Sequence, residues 1–153
     1  MTLVSKNIAV LISGGGTNLQ AIIDNTENNY INGKIKIVIS NREDAYGLIR
    51  AKNAGIPAFC IKDDEELISK LQENKIDLII LAGYLKILPE KITKIYENKI
   101  INIHPSLIPA FCGRGYYGLK VHEAVIKKGV KYTGATTHFV NEGADEGPII
   151  MQK

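Results

Sequence analysis

The sequence predicts an α/β fold of the doubly wound, Rossmann-like type, a mostly parallel sheet with helices on both faces. Two observations carry that prediction. Short apolar runs of strand length alternate with amphipathic stretches at helical spacing, the order that right-handed βαβ units produce. The first run, Asn-Ile-Ala-Val-Leu-Ile at 7–12, passes straight into Ser13-Gly14-Gly15-Gly16-Thr17-Asn18, after which Leu19, Ile22 and Ile23 fall at helical spacing. Strand, glycine-rich turn and helix follow one another without a linker.

The remaining elements follow in order. Strands are expected at 7–12, 35–40, 58–61, 78–81, 100–103, 133–140 and 148–151. Helices are expected at 18–25, 46–54, 64–73, 90–96 and 119–128. Gly33, Gly55 and Gly129 lie just beyond helical stretches, where C-terminal glycines belong, and Gly55-Ile56-Pro57 is a clean break from helix to strand. No repeat, low-complexity tract or interdomain linker interrupts the pattern, so residues 1–153 are expected to form a single domain.

Composition bounds the function. A chain of 153 residues is long enough for a real core, and its 45% hydrophobic and 23% charged content is that of a soluble globular protein. The net charge is only +3, and the 19 basic residues are scattered without a tract of five, which argues against a nucleic-acid partner. No signal peptide precedes the first strand and no apolar run reaches membrane length, so a cytoplasmic protein is expected. Cys60 and Cys112 stand alone without metal-ligand spacing and read as free thiols.

Three segments carry chemistry. In Asn102-Ile103-His104-Pro105-Ser106-Leu107-Ile108-Pro109, a strand ends by delivering Asn102 and His104 two residues apart, hence on one face. Pro105 removes a backbone donor and keeps His104 from helical geometry. An ordinary strand end with a solvated His is the alternative. The glycine-rich turn is either a tight turn without a ligand or a cradle for a single phosphate, with Thr17 or Asn18 capping the helix behind it. It matches neither the triphosphatase loop nor the spaced dinucleotide fingerprint. In the third segment, Asp145 sits between Gly143 and Gly147 in an acidic loop after the run that ends at Val140; a surface turn is the alternative. In a doubly wound fold, ligands gather at the carboxyl ends of strands, and 14–18, 83–88 and 102–104 all lie there.

Together these segments resemble one family. S-G-G-G-T-N-L-Q-A-I-I, N-I-H-P-S-L-I-P and T-G-A-T-T-H-F-V-N-E-G-A-D-E-G-P-I-I look like the phosphoribosylglycinamide formyltransferases, the folate-dependent formyltransferases of purine synthesis. The stretch from Phe111 to His122 fits the bacterial form, and the likeness runs through essentially the whole chain. N-I-H-P-S-L-x-P alone also marks relatives that formylate initiator methionyl-tRNA or deformylate formyl-tetrahydrofolate. The glycine loop with Asn-Leu-Gln separates these, because it suits a ribose phosphate.

The resemblance implies the formyltransferase fold and transfer of a formyl group from 10-formyltetrahydrofolate to the glycine amine of glycinamide ribonucleotide, without a metal. It implies catalytic roles for Asn102 and His104, as donors to the oxyanion, and for Asp145, which would raise the pKa of His104 and accept the amine's proton. It implies phosphate contacts at Gly16, Thr17 and Asn18. Folate contacts would come from Leu85, Lys86, Ile87 and Leu88, from Asn102, and from Asn141, Glu142, Gly143, Ala144 and Asp145. Lys86 stands where many relatives have Arg, and its ammonium is expected to attract the folate's glutamate carboxylates. Ser106 is not expected to be a nucleophile, His122 reads as an exposed helical residue, and His138 reads as a hydrogen-bonded structural group. Relatives continue beyond Lys153 with an extended segment and a long helix, so weaker ribonucleotide binding and lower stability are expected of this chain. A hydrolase of formyl-folate, another folate-dependent formyltransferase and a non-catalytic sugar-phosphate-binding module are the competing readings.

Overall fold

The computed structural model describes residues 4–153, which form two compact units divided between Lys86 and Ile87. In the first unit, β1 (Lys6–Ile12), β2 (Gly33–Ser40), β3 (Ala58–Cys60) and β4 (Leu78–Leu81) alternate with α1 (Thr17–Glu27), α2 (Tyr46–Asn53) and α3 (Asp64–Glu73). The strands pair in parallel in the order β3-β2-β1-β4. The chain winds outward from β1 to β3 and then returns to the other side of β1, which makes the carboxyl ends of β1 and β4 the switch point of a doubly wound sheet. Residues 8–12 of β1 are all buried, as expected for a strand covered on both faces. Val10, Ile12, Leu19, Ile23, Val38 and Leu48 lie in its core.

Local chemistry explains the helix ends. The Asp63 side chain accepts from Glu66 N at 2.8 Å and caps α3, whose first turn carries Asp64, Glu65 and Glu66 at the positive end of the dipole. Helix α1 is different. Its cap is Gly16 in the left-handed region (φ 73°) with no side-chain cap, so Thr17 and Asn18 lie inside the first turn rather than capping it. Gly33 also departs from expectation. The helix before it ends at Glu27, and Gly33 instead opens β2, where a Cβ would sit 2.5 Å from Ile8 Cδ1.

The second unit holds α4 (Glu90–Ile95), β5 (Ile100–His104), α5 (Leu119–Lys128), β6 (Thr136–Phe139) and β7 (Ile149–Gln152). Strand β6 is antiparallel to both β5 and β7, with Asn102 opposite His138 and His104 opposite Thr136. It begins three residues later than the β-branched run suggests. The Gly134 backbone abuts the Lys153 carbonyl so closely that a Cβ would stand 2.1 Å from that oxygen, and Ala135 exchanges hydrogen bonds with Lys153 just outside the strand. Gly147 is held in the same way against the Phe139 carbonyl, which closes the loop between β6 and β7. Among the described residues, no helix is long and apolar enough to cross a membrane.

Candidate functional site

Strand β5 places Asn102 and His104 as the sequence predicts, and the loop after β6 brings Asp145 to them. Asp145 Oδ2 lies 3.5 Å from His104 Nδ1 and accepts from Gly113 N at 3.0 Å. Its other oxygen, Oδ1, lies 3.6 Å from His138 Nε2, so each carboxylate oxygen faces one imidazole. His104 and His138 are 4% and 2% exposed, and the Asp145 side chain 13%. Asp145 adopts φ 59°, a region uncommon for a residue with a Cβ, and its backbone is held there by these contacts.

His138 is hydrogen-bonded, as expected, and it also faces Asn102 and Asp145. Its Nδ1 lies 2.9 Å from the Phe139 carbonyl, and its Nε2 lies 3.2 Å from Asn102 Nδ2. Burial works against a charged ring at His138. The Asp145 carboxylate and the Phe139 carbonyl outweigh that burial and raise its pKa above the usual imidazole value. At Asp145, burial pushes the carboxyl up. The facing His138, the Gly113 N–H and the charge of His104 outweigh it, and the pKa falls below the usual carboxylate range. One signal was available: alternation puts Thr136 and His138 on one face of β6, an unusual pair of polar residues on a buried face.

His104 has the Asp145 carboxylate beside it, as expected. Its Nε2 donates to the Phe111 carbonyl at 2.8 Å while Nδ1 faces Asp145, so the loop after β5 engages the second ring nitrogen. Phe111 has φ 50°, and Ser106 Oγ donates to Ala110 O at 2.5 Å within the same turn. Ser106 is fully buried, and its hydroxyl is directed at the Ala110 carbonyl. Cys112 and Cys60 are free, half-buried thiols. Burial, then the carboxylates of Asp145 and Glu146, push the Cys112 thiol up, away from thiolate character. His122 is exposed on α5.

The acidic loop is ordered locally. Asn141 Oδ1 accepts from Gly143 N at 2.9 Å, an Asx turn that leads into Ala144 and Asp145, while Asn141 and Glu142 are exposed. The residues expected to wall a folate divide. Leu85 and Ile87 are 51% and 65% exposed and present apolar surface, whereas Leu88, at 6%, belongs to the interior. Lys86 does not extend a free ammonium. Its Nζ is held by Asp64 Oδ1 at 2.6 Å and by the Lys62 carbonyl at 2.9 Å.

In the first unit, the glycine loop leaves β1 at the switch point. Ser13 is buried, donates to Asn41 Oδ1 at 2.6 Å and accepts from Leu85 N at 2.9 Å. Gly14 and Gly15 have open space where a Cβ would project, and Thr17 and Asn18 are exposed at the amino end of α1. Gly16 is different. A Cβ there would meet Gly47 Cα at 2.7 Å, so this glycine is required by the close approach of α2. Among the described residues, no group of three or more His, Cys, Asp or Glu is placed to hold a metal ion.

Comparison with known proteins agrees with this architecture. The formyl transferase family model matches residues 6–153. A phosphoribosylglycinamide formyltransferase of Haemophilus influenzae is 49% identical over 156 residues, covering 96% of this chain and 71% of the relative. The chloroplastic phosphoribosylglycinamide formyltransferase of Vigna unguiculata is 39% identical over 162 residues, with all of this chain aligned. The chain spans about half of that plant relative's length, 52%. Glycinamide ribonucleotide transformylase 1 from Symbiobacterium toebii superposes with a TM-score of 0.92 at 43% identity, covering 99% of this chain and 74% of that one.

Proposed function

The chain belongs to the formyl transferase family, and we propose that it transfers the formyl group of 10-formyltetrahydrofolate to the glycine amine of glycinamide ribonucleotide in purine synthesis. The observation that supports this most is the buried cluster in which Asp145 faces two imidazoles while Asn102 stands beside one of them. Recognition alone needs no carboxylate aligned on two rings.

In this reading the amine attacks the formyl carbon and an oxyanion develops on the formyl oxygen. The Asn102 amide and His104 donate to it; for this, His104 Nε2 exchanges the Phe111 carbonyl for the oxyanion. Asp145 accepts the proton that the amine loses, directly or through a water. The C–N bond to the folate then breaks, the folate nitrogen takes a proton, and the formyl group stays on the ribonucleotide. The glycine loop with Thr17 and Asn18 takes the ribose phosphate, and Leu85 and Ile87 offer apolar surface to the pterin ring. Lys86 is already paired with Asp64 and contributes little to the folate's carboxylates.

Incubation with 10-formyltetrahydrofolate in the presence and absence of glycinamide ribonucleotide tests the reading, with absorbance reporting folate deformylation. Formylated ribonucleotide made only when the amine is present supports it. Formate released without the amine would favour a hydrolase, and absence of both reactions with binding retained would favour a binding module.

A further inference from the structure

Helix α2 grips the glycine loop at successive carbonyls. Gly47 N donates to Gly14 O at 3.0 Å, and Arg50 Nε donates to Gly15 O at 2.7 Å. The Gly47 Cα lies against Gly16, where any Cβ would collide. Arg50 also reaches Gln20 Oε1 at 3.4 Å on α1, and its guanidinium stands 5.1 Å over the Tyr46 ring. It is therefore tied at once to the loop, to the helix that follows the loop and to its own helix.

These contacts have a directional consequence. The peptides after Gly14 and Gly15 are trans, and a trans peptide holds its C=O and N–H antiparallel. Fixing the Gly14 and Gly15 carbonyls toward α2 therefore turns the N–H groups of Gly15 and Gly16 away from it. Those N–H groups precede the amino end of α1, so the loop's donors and the helix dipole are set before any anion arrives. A loop without this grip would pay the ordering entropy at binding.

We propose that Arg50 is a positioning residue for phosphate: by holding the Gly15 carbonyl it aims the Gly16 N–H at a phosphate monoester. The proposal rests on the phosphate role given to this loop above. The Arg50 side chain need not touch the ligand. Lysine retains the charge and can still donate to the Gly15 carbonyl but loses the fixed fork.

The test uses ¹⁵N-labelled protein titrated with inorganic phosphate, following the Gly15 and Gly16 amides, with steady-state kinetics on glycinamide ribonucleotide alongside. Arg50→Ala is expected to weaken phosphate binding ~10-fold, the scale of one charge-assisted hydrogen bond, and to raise KM for the ribonucleotide by a similar factor. It should leave kcat and the KM for formyl-folate within ~2-fold, and Arg50→Lys should recover most of the loss. Unchanged phosphate affinity in Arg50→Ala overturns the proposal, whatever happens to the melting temperature; so does a loss that Arg50→Lys does not relieve. If the Gly15 and Gly16 amides of the unaltered protein do not respond to phosphate, the phosphate role of the loop falls, and this proposal with it.

Discussion

Asn102 Nδ2 faces His138 Nε2 at 3.2 Å across the β5–β6 ladder, and this contact couples the orientation of the amide to the proton on the ring. The Phe139 carbonyl can only accept, so His138 Nδ1 carries a hydrogen, and Nε2 is the nitrogen that titrates. With Nε2 bare, it accepts from the Asn102 amide. With Nε2 protonated, that N–H is offered to the facing Asp145 Oδ1, and the Asn102 amide loses its acceptor on the ring. His138→Ala is therefore expected to lower kcat by ~10² and to remove an ionisation from the kcat–pH profile. The double variant with Asn102→Ala should lose far less than the sum of the two single losses. Steady-state kinetics across pH on all three variants measures this; additive losses with an unchanged profile would show that the pair does not act as a unit.

The His138–Asp145 pair sets a pH window for stability. The His138 pKa is raised above 6.5, so its contribution is complete below about 6.5 and is lost as pH rises through the higher folded-state value. The Asp145 pKa is lowered below 3.8, so its contribution is complete above about 3.8 and is lost as pH falls through the lower folded-state value. Maximal benefit lies between these limits. Asp145→Asn should flatten the dependence of melting temperature on pH across both edges. A melting profile for Asp145→Asn that parallels the unaltered protein would remove the pair from the stability of the fold.

Gly15 and Gly16 should respond differently to a methyl group. Gly16→Ala forces a Cβ onto Gly47 Cα at a positive φ, and a cost of ~1–3 kcal/mol is expected. That corresponds to a drop of several degrees in Tm for a chain of this size. Gly15→Ala meets open space, so Tm should hold while KM for the ribonucleotide rises. Calorimetric melting of both variants with kinetics on Gly15→Ala separates fold from ligand; equal melting losses would refute the distinction.

Much of this was legible in the chain because local rules and tertiary structure agree. The bounds of α3 and α5 match the periodic stretches, as do those of β4. Strand alternation put Asn102 and His104 on one face and turn residues put Asp145 in a tight loop, while it was the resemblance that joined the three as one site. What stayed hidden depends on contacts distant in sequence. His138 meets Asn102 through the register of two antiparallel strands, 36 residues apart, and alternation does not encode register. The packing of Gly47 against Gly16, 31 positions on, gives a second reason, besides the expected phosphate, why no side chain fits there. Lys86 reads as a free cation because its partner, Asp64, lies 22 residues earlier, at the start of α3.

The divided character of the expected folate wall gives the last prediction. Leu88 is 6% exposed, so Leu88→Ala should cost ~2–5 kcal/mol as a core truncation, with loss of activity following loss of folded protein. Leu85 and Ile87, at 51% and 65% exposed, have little packing to lose. Leu85→Ala and Ile87→Ala should leave Tm within about a degree or two, since exposed truncations usually stay within ~0.5 kcal/mol. If these side chains cover the pterin ring, each should raise the KM for formyl-folate several-fold through lost apolar burial, while the KM for the ribonucleotide holds. Lys86→Met should shift the folate KM by less than ~3-fold, because the Asp64 carboxylate already neutralises that ammonium. Melting curves with both KM values for the four variants decide it. A folate KM that moves with Lys86→Met and not with Leu85→Ala or Ile87→Ala would reverse the assignment, making the cation rather than the apolar surface the folate contact.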